Sequence, residues 1–292
     1  MQTKKEWDKF IDSLKIDNVI SDKKLIAKEL KRLLIKSVKK RIPKKRFGIL
    51  FSGGLDSSLI ALICKQLKAD FVCYSVGYYE ESSKYPDDLA AAEKVAKKLS
   101  VKLKFKSFNV KESEKVIKET VKVVGLGENN IHNIINVGVG AVVVAANEIA
   151  KKDKIDTFFT GAGAEELFGG YFYQEKAKDV NKASWELLKE MHEKDLKRND
   201  SLSKKLKINF LSPFLDPELI KFAMQIPPKY KITNEHKKLI LREVAHKMGL
   251  YKKTAYRKKQ AAQYGSRFDK AIRKLTILNG FDKKKLWLRS LV

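Results

Sequence analysis

Short apolar runs without polar alternation recur along the chain from residue 47 and are typical of strands buried on both faces. A helical pattern follows each run, and strand and helix in alternation predict a parallel sheet with right-handed crossovers. The predicted strands are 47–51, 70–76, 102–108 and 155–160, and the predicted helices are 57–67, 87–99, 111–124 and 137–151. We therefore expect an α/β fold with helices on both faces of a parallel sheet.

Helical patterns without strands flank this alternating region. Apolar residues recur at helical spacing from Trp7 to Leu14, and Ser21 is predicted to cap a second helix that ends at Pro43. After Gly170 no convincing strand is visible, and prolines punctuate the remaining helical patterns. We expect an N-terminal helical lead-in over 1–45, an α/β core over 46–170 and a helical C-terminal region with a basic tail over 171–292.

The turn after the first predicted strand reads SGGLDSS, residues 52–58. It lies at the carboxyl end of a parallel strand and opens a helix, where unpaired N–H groups favour an anion. The common phosphate loop GxxxxGK[ST] has a lysine, whereas this turn has Asp56. A carboxylate among phosphates needs a bridging divalent cation, so the turn predicts a phosphate site with Mg²⁺. The alternative is an ordinary turn whose acid stabilises the helix dipole.

A second pair of acids, Glu165 and Glu166, follows the fourth predicted strand in the stretch TGAGAEELFGGY. The ends of parallel strands meet at one edge of a sheet, so these acids are suited to share Mg²⁺ with Asp56. The alternative is that they are charges that stabilise a helix N-terminus.

The chain is strongly basic, with 62 Lys and Arg against 35 Asp and Glu in 292 residues. The segment from residue 252 to the end carries 13 Lys and Arg against two Asp, which would suit weak RNA binding through phosphate contacts. The alternative is a lysine-rich surface that is simply solvated or paired with nearby glutamates. The sequence has no stretch of about 20 apolar residues, and its first ten residues are polar and charged, unlike a signal peptide. We therefore expect a cytoplasmic protein with no membrane contact.

Two cysteines and four histidines complete the candidate chemistry. Cys64 and Cys73 have neither metal-ligand spacing nor the numbers of a disulfide framework, so both are interpreted as core residues. The histidines are scattered without catalytic spacing, and none is assigned a role.

Several of these stretches occur together in a recognisable order. SGGLDSS and GAGAEELFGGY are followed by PFLDPELIKFAMQIPPKYKI, KKLILREVA and AYRKKQ. The set resembles the synthetase domain of the asparagine synthetase family, which also includes β-lactam synthetases, from about Leu33 to Gln260. The resemblance implies an ATP pyrophosphatase fold of the adenine nucleotide α-hydrolase type, which cleaves ATP between the α and β phosphates.

The resemblance also implies roles for individual residues. Those implied to hold pyrophosphate are Ser52, Gly53, Gly54, Asp56, Ser57 and Ser58. Those implied to contact adenosine are Leu50, Val76, Thr160 and Gly161. Asp56 and Glu165 are the implied Mg²⁺ ligands. The catalytic lysine of the family falls on Lys259, where a cation would offset charge on the α-phosphate and on departing pyrophosphate.

The chain departs from the family pattern in three places. Position 2, where the glutaminase domain of the family has its cysteine nucleophile, is Gln2, so nitrogen is expected from ammonia, another amine or a separate glutaminase subunit. Ala162 replaces the glutamate thought to handle protons of the attacking amine, and Glu165 replaces the metal-binding aspartate. Residues 136–140, NVGVG, replace an S-T-P-like stretch that lines the aspartate pocket.

The leading hypothesis is an AMP- and pyrophosphate-forming ligase that adenylates a carboxylate, aspartate by default, and converts it to an amide. Because Ala162 cannot act as a base, Glu166 is the nearest candidate for proton removal. One alternative is a tRNA-modifying enzyme that adenylates a base carbonyl and uses the basic tail. Another is an ATP-binding protein without turnover. The oligomeric state is left open.

Overall fold

The computed structural model describes residues 2–16, 18–81, 83–126 and 130–292, the last range with side chains from residue 133. A five-stranded sheet lies at its centre, and all strand pairs are parallel. The strands are β1 (Phe47–Leu50), β2 (Phe71–Tyr78), β3 (Leu103–Phe108), β4 (Thr157–Phe159) and β5 (Asn209–Leu211). Their order across the sheet is β3-β2-β1-β4-β5. Strands β2 and β3 are thus added on one side of β1 and strands β4 and β5 on the other, so the strand order reverses between β1 and β4. Ligands bind at such switch points in α/β sheets.

Helices connect and cover these strands. Before β4 they are α1 (Lys4–Ser13), α2 (Lys23–Lys39), α3 (Leu55–Gln66), α4 (Asp87–Leu99), α5 (Val110–Val124) and α6 (Asn130–Ala150). Between β4 and β5 they are α7 (Ala164–Phe168), α8 (Phe172–Lys176), α9 (Val180–Met191) and α10 (Lys197–Leu206), with a π-helical segment at His192–Leu196. After β5 they are α11 (Pro217–Met224), α12 (Pro228–Lys231), α13 (Leu239–Lys247), α14 (Lys252–Ala255), α15 (Ala262–Gly265), α16 (Phe268–Leu278) and α17 (Lys284–Arg289).

Two apolar cores lie on the two faces of the sheet. Neighbouring residues of β4 show the alternation, since Phe158 packs into the core with α5, α6 and α16, and Phe159 into the core with α2, α3 and α11. Strand residues buried on both faces have the continuous apolar character seen in the sequence. The predicted α/β class, with helices on both faces of a parallel sheet, is confirmed.

Two details of the prediction were wrong. A strand does follow Gly170, because β5 pairs with β4 through the register Thr157–Asn209 to Phe159–Leu211. It has three residues, which is too short for a periodic signal. The cap of α2 is Asp22 and not Ser21, since the Asp22 carboxylate accepts hydrogen bonds from the N–H groups of Lys24 and Leu25. The three-part division of the chain stays a prediction.

Helix α6 contradicts the expectation that the chain has no long apolar stretch. Within the described residues, the helical segment 133–153 is long and apolar enough to cross a membrane by length and composition. More than half of it is buried, and α6 packs against β2, α5 and α16. Its apolar character is therefore that of a core helix.

Lys231 is a fully buried lysine at the end of α12, and its Nζ donates to Asn181 Oδ1 at 2.7 Å. Burial lowers its pKa to about 7. The folded protein then binds fewer protons than the unfolded chain between pH 7 and the ordinary lysine pKa near 10.5. We expect the free energy of unfolding to rise across that pH window, relative to Lys231→Met, by a few kcal/mol. Chemical denaturation of both proteins from pH 6 to 10 measures this, and parallel curves would contradict it.

Candidate functional site

A cleft of about 270 Å³ opens at the carboxyl edge of the sheet, above the switch point. The ends of β1, β2 and β4 form its floor, and the segment 257–260 closes one side. The predicted site residues that line it are Leu50, Ser52, Gly54, Asp56, Ser57, Val76, Thr160, Gly161, Glu165, Glu166 and Lys259. The structure thus brings together residues that are up to about 200 positions apart in the chain.

The SGGLDSS turn leads from β1 into α3. Gly54 is the N-cap in an extended conformation, and its helix has no side-chain cap among the described residues. The N–H groups of the first helical turn are therefore available to an anion. The hydroxyls of Ser52 and Ser57 belong to the same turn, and their oxygens lie 3.4 Å apart. Ser58 is fully buried, and its hydroxyl has no hydrogen-bond partner in the described part of the chain.

Gly53 lies outside the lining of the cleft but fixes the path of the turn. Its φ is +63°, and a Cβ there would lie 2.4 Å from the carbonyl carbon of Ala91 and 2.5 Å from the nitrogen of Ala92. Both atoms belong to the backbone of α4, which cannot move away without displacing the helix. The turn is therefore packed directly on α4, and this contact requires glycine.

We expect Gly53→Ala to weaken ATP binding at least tenfold, because the turn must leave its position on α4. A matched control is Gly280→Ala, where φ is +76° and no atom of the described residues, other than its chain neighbours, lies within 4 Å of the added Cβ. That control isolates the cost of backbone strain, about 1–2 kcal/mol, from the cost of the clash. Equilibrium binding of a fluorescent ATP analogue and thermal denaturation report the two effects. Equal ATP affinity in the two variants would contradict the packing argument.

Two carboxylates and two lysines form a compact charge cluster beside the turn. Lys238 Nζ lies 2.8 Å from Asp56 Oδ2 and 2.7 Å from Glu165 Oε1, and Lys259 Nζ lies 2.6 Å from Glu165 Oε1. Lys259 Nζ is 3.9 Å from Asp56 Oδ2. Asp56, Glu165 and Lys238 are buried, whereas Lys259 is half-exposed. The four charges balance, which makes their burial tolerable.

The lysines shift the ionisation of Glu165. Burial alone would raise the pKa of its carboxyl, but the charges of Lys238 and Lys259 hold that pKa well below its usual range. Partial desolvation of the ammonium at the end of the half-exposed Lys259 side chain acts against its charged form, but Glu165 and Asp56 raise its pKa. Glu165 is therefore ionised and Lys259 protonated throughout the physiological pH range.

Sequence reasoning missed Lys238. It lies at the N-cap of α13 with a φ of +57°, a conformation that non-glycine residues adopt at a cost. The close approach also requires Gly170, since a Cβ there would lie 1.6 Å from Glu165 Oε2 and 2.7 Å from Lys238 Cε. The available signal was the position of Lys238 in the quoted stretch KKLILREVA, immediately before a helix.

Two arginines, also missed, hold the segment that carries Lys259. Arg242, one turn after Lys238 on α13, donates to the carbonyls of Ala255 at 2.6 Å and Arg257 at 3.1 Å. Arg257 in turn donates to the carbonyl of Ser52 and pairs with Asp88, each at 3.0 Å. The segment with Lys259 is therefore attached directly to the SGGLDSS turn.

The carboxylates are chemically suited to Mg²⁺, although the described residues contain no group of three or more His, Cys, Asp or Glu that could hold a metal. Asp56 Oδ1 and Glu165 Oε2 are buried, and neither has a hydrogen-bond partner in the described ranges. Each acid thus has one oxygen free for a hard cation. Mg²⁺ is commonly bound by one or two carboxylates with substrate phosphates and water as the remaining ligands, and this donor set fits that arrangement.

The residues predicted at adenosine line the same cleft. Leu50 is the last residue of β1, Val76 lies near the end of the neighbouring strand β2, two residues before its last residue, and Thr160 Oγ1 lies 3.1 Å from Ser212 Oγ. At Gly161 an added Cβ would lie 2.9 Å from Asp56 Cβ, so glycine permits β4 to approach the SGGLDSS turn.

Glu166 lies on α7 and is buried, and both Glu166 and Ala162 line the cleft. The Tyr171 hydroxyl donates to its Oε1 at 2.9 Å. Burial, with the charges of Asp195 and Glu165, raises the pKa of Glu166 to about 7. A carboxyl with this pKa can accept a proton near neutral pH.

The asparagine synthase family matches the chain over residues 29–186 and 173–277, which is most of its length. The chain belongs to the asparagine synthase family. Membership makes it a relative of ATP-dependent amide-forming ligases.

Individual members of the family match over most of this chain. A putative glutamine-hydrolysing asparagine synthetase from Methanocaldococcus jannaschii is 34% identical over 89% of this chain and 53% of its own length. The human glutamine-hydrolysing asparagine synthetase is 32% identical over 82% of this chain and 43% of its own. The chain thus spans about half the length of these relatives.

A solved structure of NMN synthetase from Francisella tularensis has a TM-score of 0.44 at 14% identity, covering 92% of each chain. A likeness this remote has no bearing on function.

Proposed function

We propose that the protein is a carbon–nitrogen ligase that uses ATP to adenylate a carboxylate, releases pyrophosphate, and converts the acyl-adenylate to an amide. The observation that supports this is the cluster of Asp56, Glu165, Lys238 and Lys259 at the start of α3. It combines acids suited to Mg²⁺ with cations suited to phosphates at one point of the switch-point cleft.

The cluster favours adenylation over kinase chemistry. A kinase moves the γ-phosphoryl group, whereas an adenylating enzyme must stabilise the β and γ phosphates together as they leave. In the proposed complex, pyrophosphate is bound by Ser52, Ser57 and the N–H groups at the start of α3. Ser58 is buried below the turn. Asp56 and Glu165 would hold Mg²⁺, which would neutralise phosphate charge when bound. Lys259 and Lys238 offset the charge that develops on the α-phosphate and the leaving group.

The second half-reaction requires a neutral amine. The default acceptor is aspartate, and the nitrogen donor is ammonia or another amine. Ala162 has no proton acceptor, whereas Glu166 is buried at the same wall with a raised pKa. We propose that Glu166 removes the proton from the amine and that the protein works in the cytoplasm.

A pyrophosphate-release assay with Mg·ATP tests this function across amino acids, amines and tRNA. Release that depends on a carboxylate, with an amide as product, is the expected result. Release that requires tRNA would instead support a base-modifying enzyme. ATP binding without release under all conditions would show a protein without turnover. Either of the last two results would overturn the ligase.

The two half-reactions should respond differently to substitution at Ala162. We expect Ala162→Glu to leave pyrophosphate release within about threefold of the parent, because the pyrophosphate site and Lys259 are unchanged, and to raise the ammonia-dependent amide yield. The matched variant Glu166→Gln should lower amide yield and spare pyrophosphate release. Chromatography of the amide together with the release assay separates the steps. Equal loss of both steps in Glu166→Gln would contradict the assignment of the base.

A further inference from the structure

Helix α16 has apolar side chains on its outer side as well as on the side that packs into the protein. Phe268, Ile272 and Leu275 lie in the core shared with α5 and α6, and each is at most 2% exposed. Ile277 and Leu278, in the last turn of the helix, are 66% and 62% exposed. The end of α16 thus presents two large aliphatic side chains to the surroundings.

Helix α17 adds a third exposed aliphatic side chain. Leu286 is 47% exposed, whereas the next two residues, Trp287 and Leu288, are buried in the core. The two helices pack against each other, and the ammonium of Lys284 pairs with Asp269 of α16. We call Ile277, Leu278 and Leu286 the aliphatic patch. Aliphatic side chains grouped on two packed helices, unlike single ones, indicate a contact surface.

Cations accompany the aliphatic patch. Residues 268–292 carry seven Lys and Arg against two Asp. Two of the cations are paired, Lys274 with Glu80 and Lys284 with Asp269. The cations without an ion-pair partner in the part of the chain that the structure describes are Lys270, Arg273, Lys283 and Lys285. Arg273 lies one helical turn before Ile277, so charge and aliphatic surface share the outer side of α16.

The charge around the patch restricts what can cover it. A second copy of the chain would bring like charges together. Nucleic acid would pair with the cations, but bases stack on aromatic or guanidinium groups and leave aliphatic side chains without a partner. Ile277 and Leu278 project from the surface, whereas capture of a peptide helix uses a groove. A bilayer with anionic lipids suits both features, because its head groups attract cations and its acyl chains accept aliphatic side chains.

We propose that the aliphatic patch inserts into the surface of a membrane that contains anionic lipids, with the unpaired cations against the lipid head groups. The cleft stays open in this arrangement, since Ile277 lies roughly 15 Å along α16 from Ser266, which lines the cleft. The expectation of no membrane contact rested on spanning segments and a signal peptide, and a face that lies on the bilayer needs neither. The proposal does not depend on the ligase reaction.

Flotation with vesicles tests the proposal. We expect the parent protein to bind phosphatidylcholine vesicles in which about a third of the lipid is phosphatidylglycerol, and not pure phosphatidylcholine vesicles. The double variant Ile277→Ser with Leu278→Ser should weaken that binding at least tenfold. Its matched control is Leu25→Ser on α2, where the leucine is 52% exposed, and it should bind as the parent does.

The contribution of charge is measured in the same assay. Lys270→Gln with Arg273→Gln should weaken binding at least tenfold, because each cation beside an anionic bilayer contributes about a factor of five. Lys24→Gln with Lys28→Gln, which removes two exposed lysines from α2, is the matched control. Equal losses in these two double variants would show a general attraction of the basic protein to anionic vesicles and would overturn the proposal.

An environment-sensitive fluorophore reports insertion directly. Cys64 and Cys73 are buried, so a label reacts at the cysteine of Leu278→Cys, and its emission should shift to the blue with anionic vesicles. The same label at Leu25→Cys should not shift. No shift at position 278, or vesicle binding by the double serine variant equal to that of the parent, would overturn the proposal. So would loss of single-stranded RNA binding by that variant with vesicle binding unchanged. Binding of a fluorescent ATP analogue by each variant identifies any loss caused by misfolding.

Discussion

Lys259→Ala is expected to lower acceptor-dependent pyrophosphate release about 100-fold or more. The Lys259 ammonium lies 2.6 Å from Glu165 Oε1 and is half-exposed to the cleft, so it can turn from the carboxylate to a phosphate. Removing one positioned donor from a site where charge develops in the transition state typically costs a factor of about 10² to 10³. ATP affinity should change much less, because Lys238 and the N–H groups of α3 remain.

A control and a charge-conserving variant sharpen this result. Lys253→Ala removes an exposed lysine from α14, in the same basic region of the chain, and should leave release unchanged. Lys259→Arg retains the charge with a different shape, and partial activity is expected. The readout is single-turnover pyrophosphate release at saturating Mg·ATP and acceptor. Release by Lys259→Ala at the parent rate would remove the catalytic role of this lysine and most of the case for an asparagine synthetase-like mechanism.

The part of the site predicted from sequence was the part encoded locally. The SGGLDSS turn joins a buried strand to a helix within a dozen residues, so periodicity, glycine and the helix N-terminus indicated its chemistry together. Glu165 and Glu166 were found in the same way at the end of β4. Parallel strands place such turns at one edge, and this rule alone predicted that Asp56 and Glu165 would be neighbours.

Lys238 was not predicted, because its role depends on tertiary contacts. Lys238 is 182 positions from Asp56, and in a chain with 62 Lys and Arg no local pattern separates it from surface lysines. Strand β5 was missed for a related reason, since three residues paired with one short neighbour have no periodicity. In each case the decisive partner lies far away in the sequence.

Asp56→Asn is expected to reduce pyrophosphate release at least tenfold. The substitution preserves the shape of the side chain, so that the effect reports the lost charge. A metal-bridging charge is worth more than about 1.4 kcal/mol, which corresponds to a factor of ten. In addition, the cluster would contain two lysines and one remaining acid, Glu165. Mn²⁺ binding in the presence of ATP, measured by electron paramagnetic resonance, should weaken in parallel with activity.

The control for Asp56 is Asp70→Asn, which removes an exposed acid paired with Arg46 at the opposite edge of the sheet, just before β2. It should leave both release and Mn²⁺ binding unchanged, because surface pairs of this kind contribute little and lie far from the cleft. The metal assignment requires both readouts to fall in Asp56→Asn. Reduced release with normal Mn²⁺ binding would mean that Asp56 acts by positioning Lys238, to which its Oδ2 is bonded at 2.8 Å. Unchanged release would exclude Asp56 as a metal ligand.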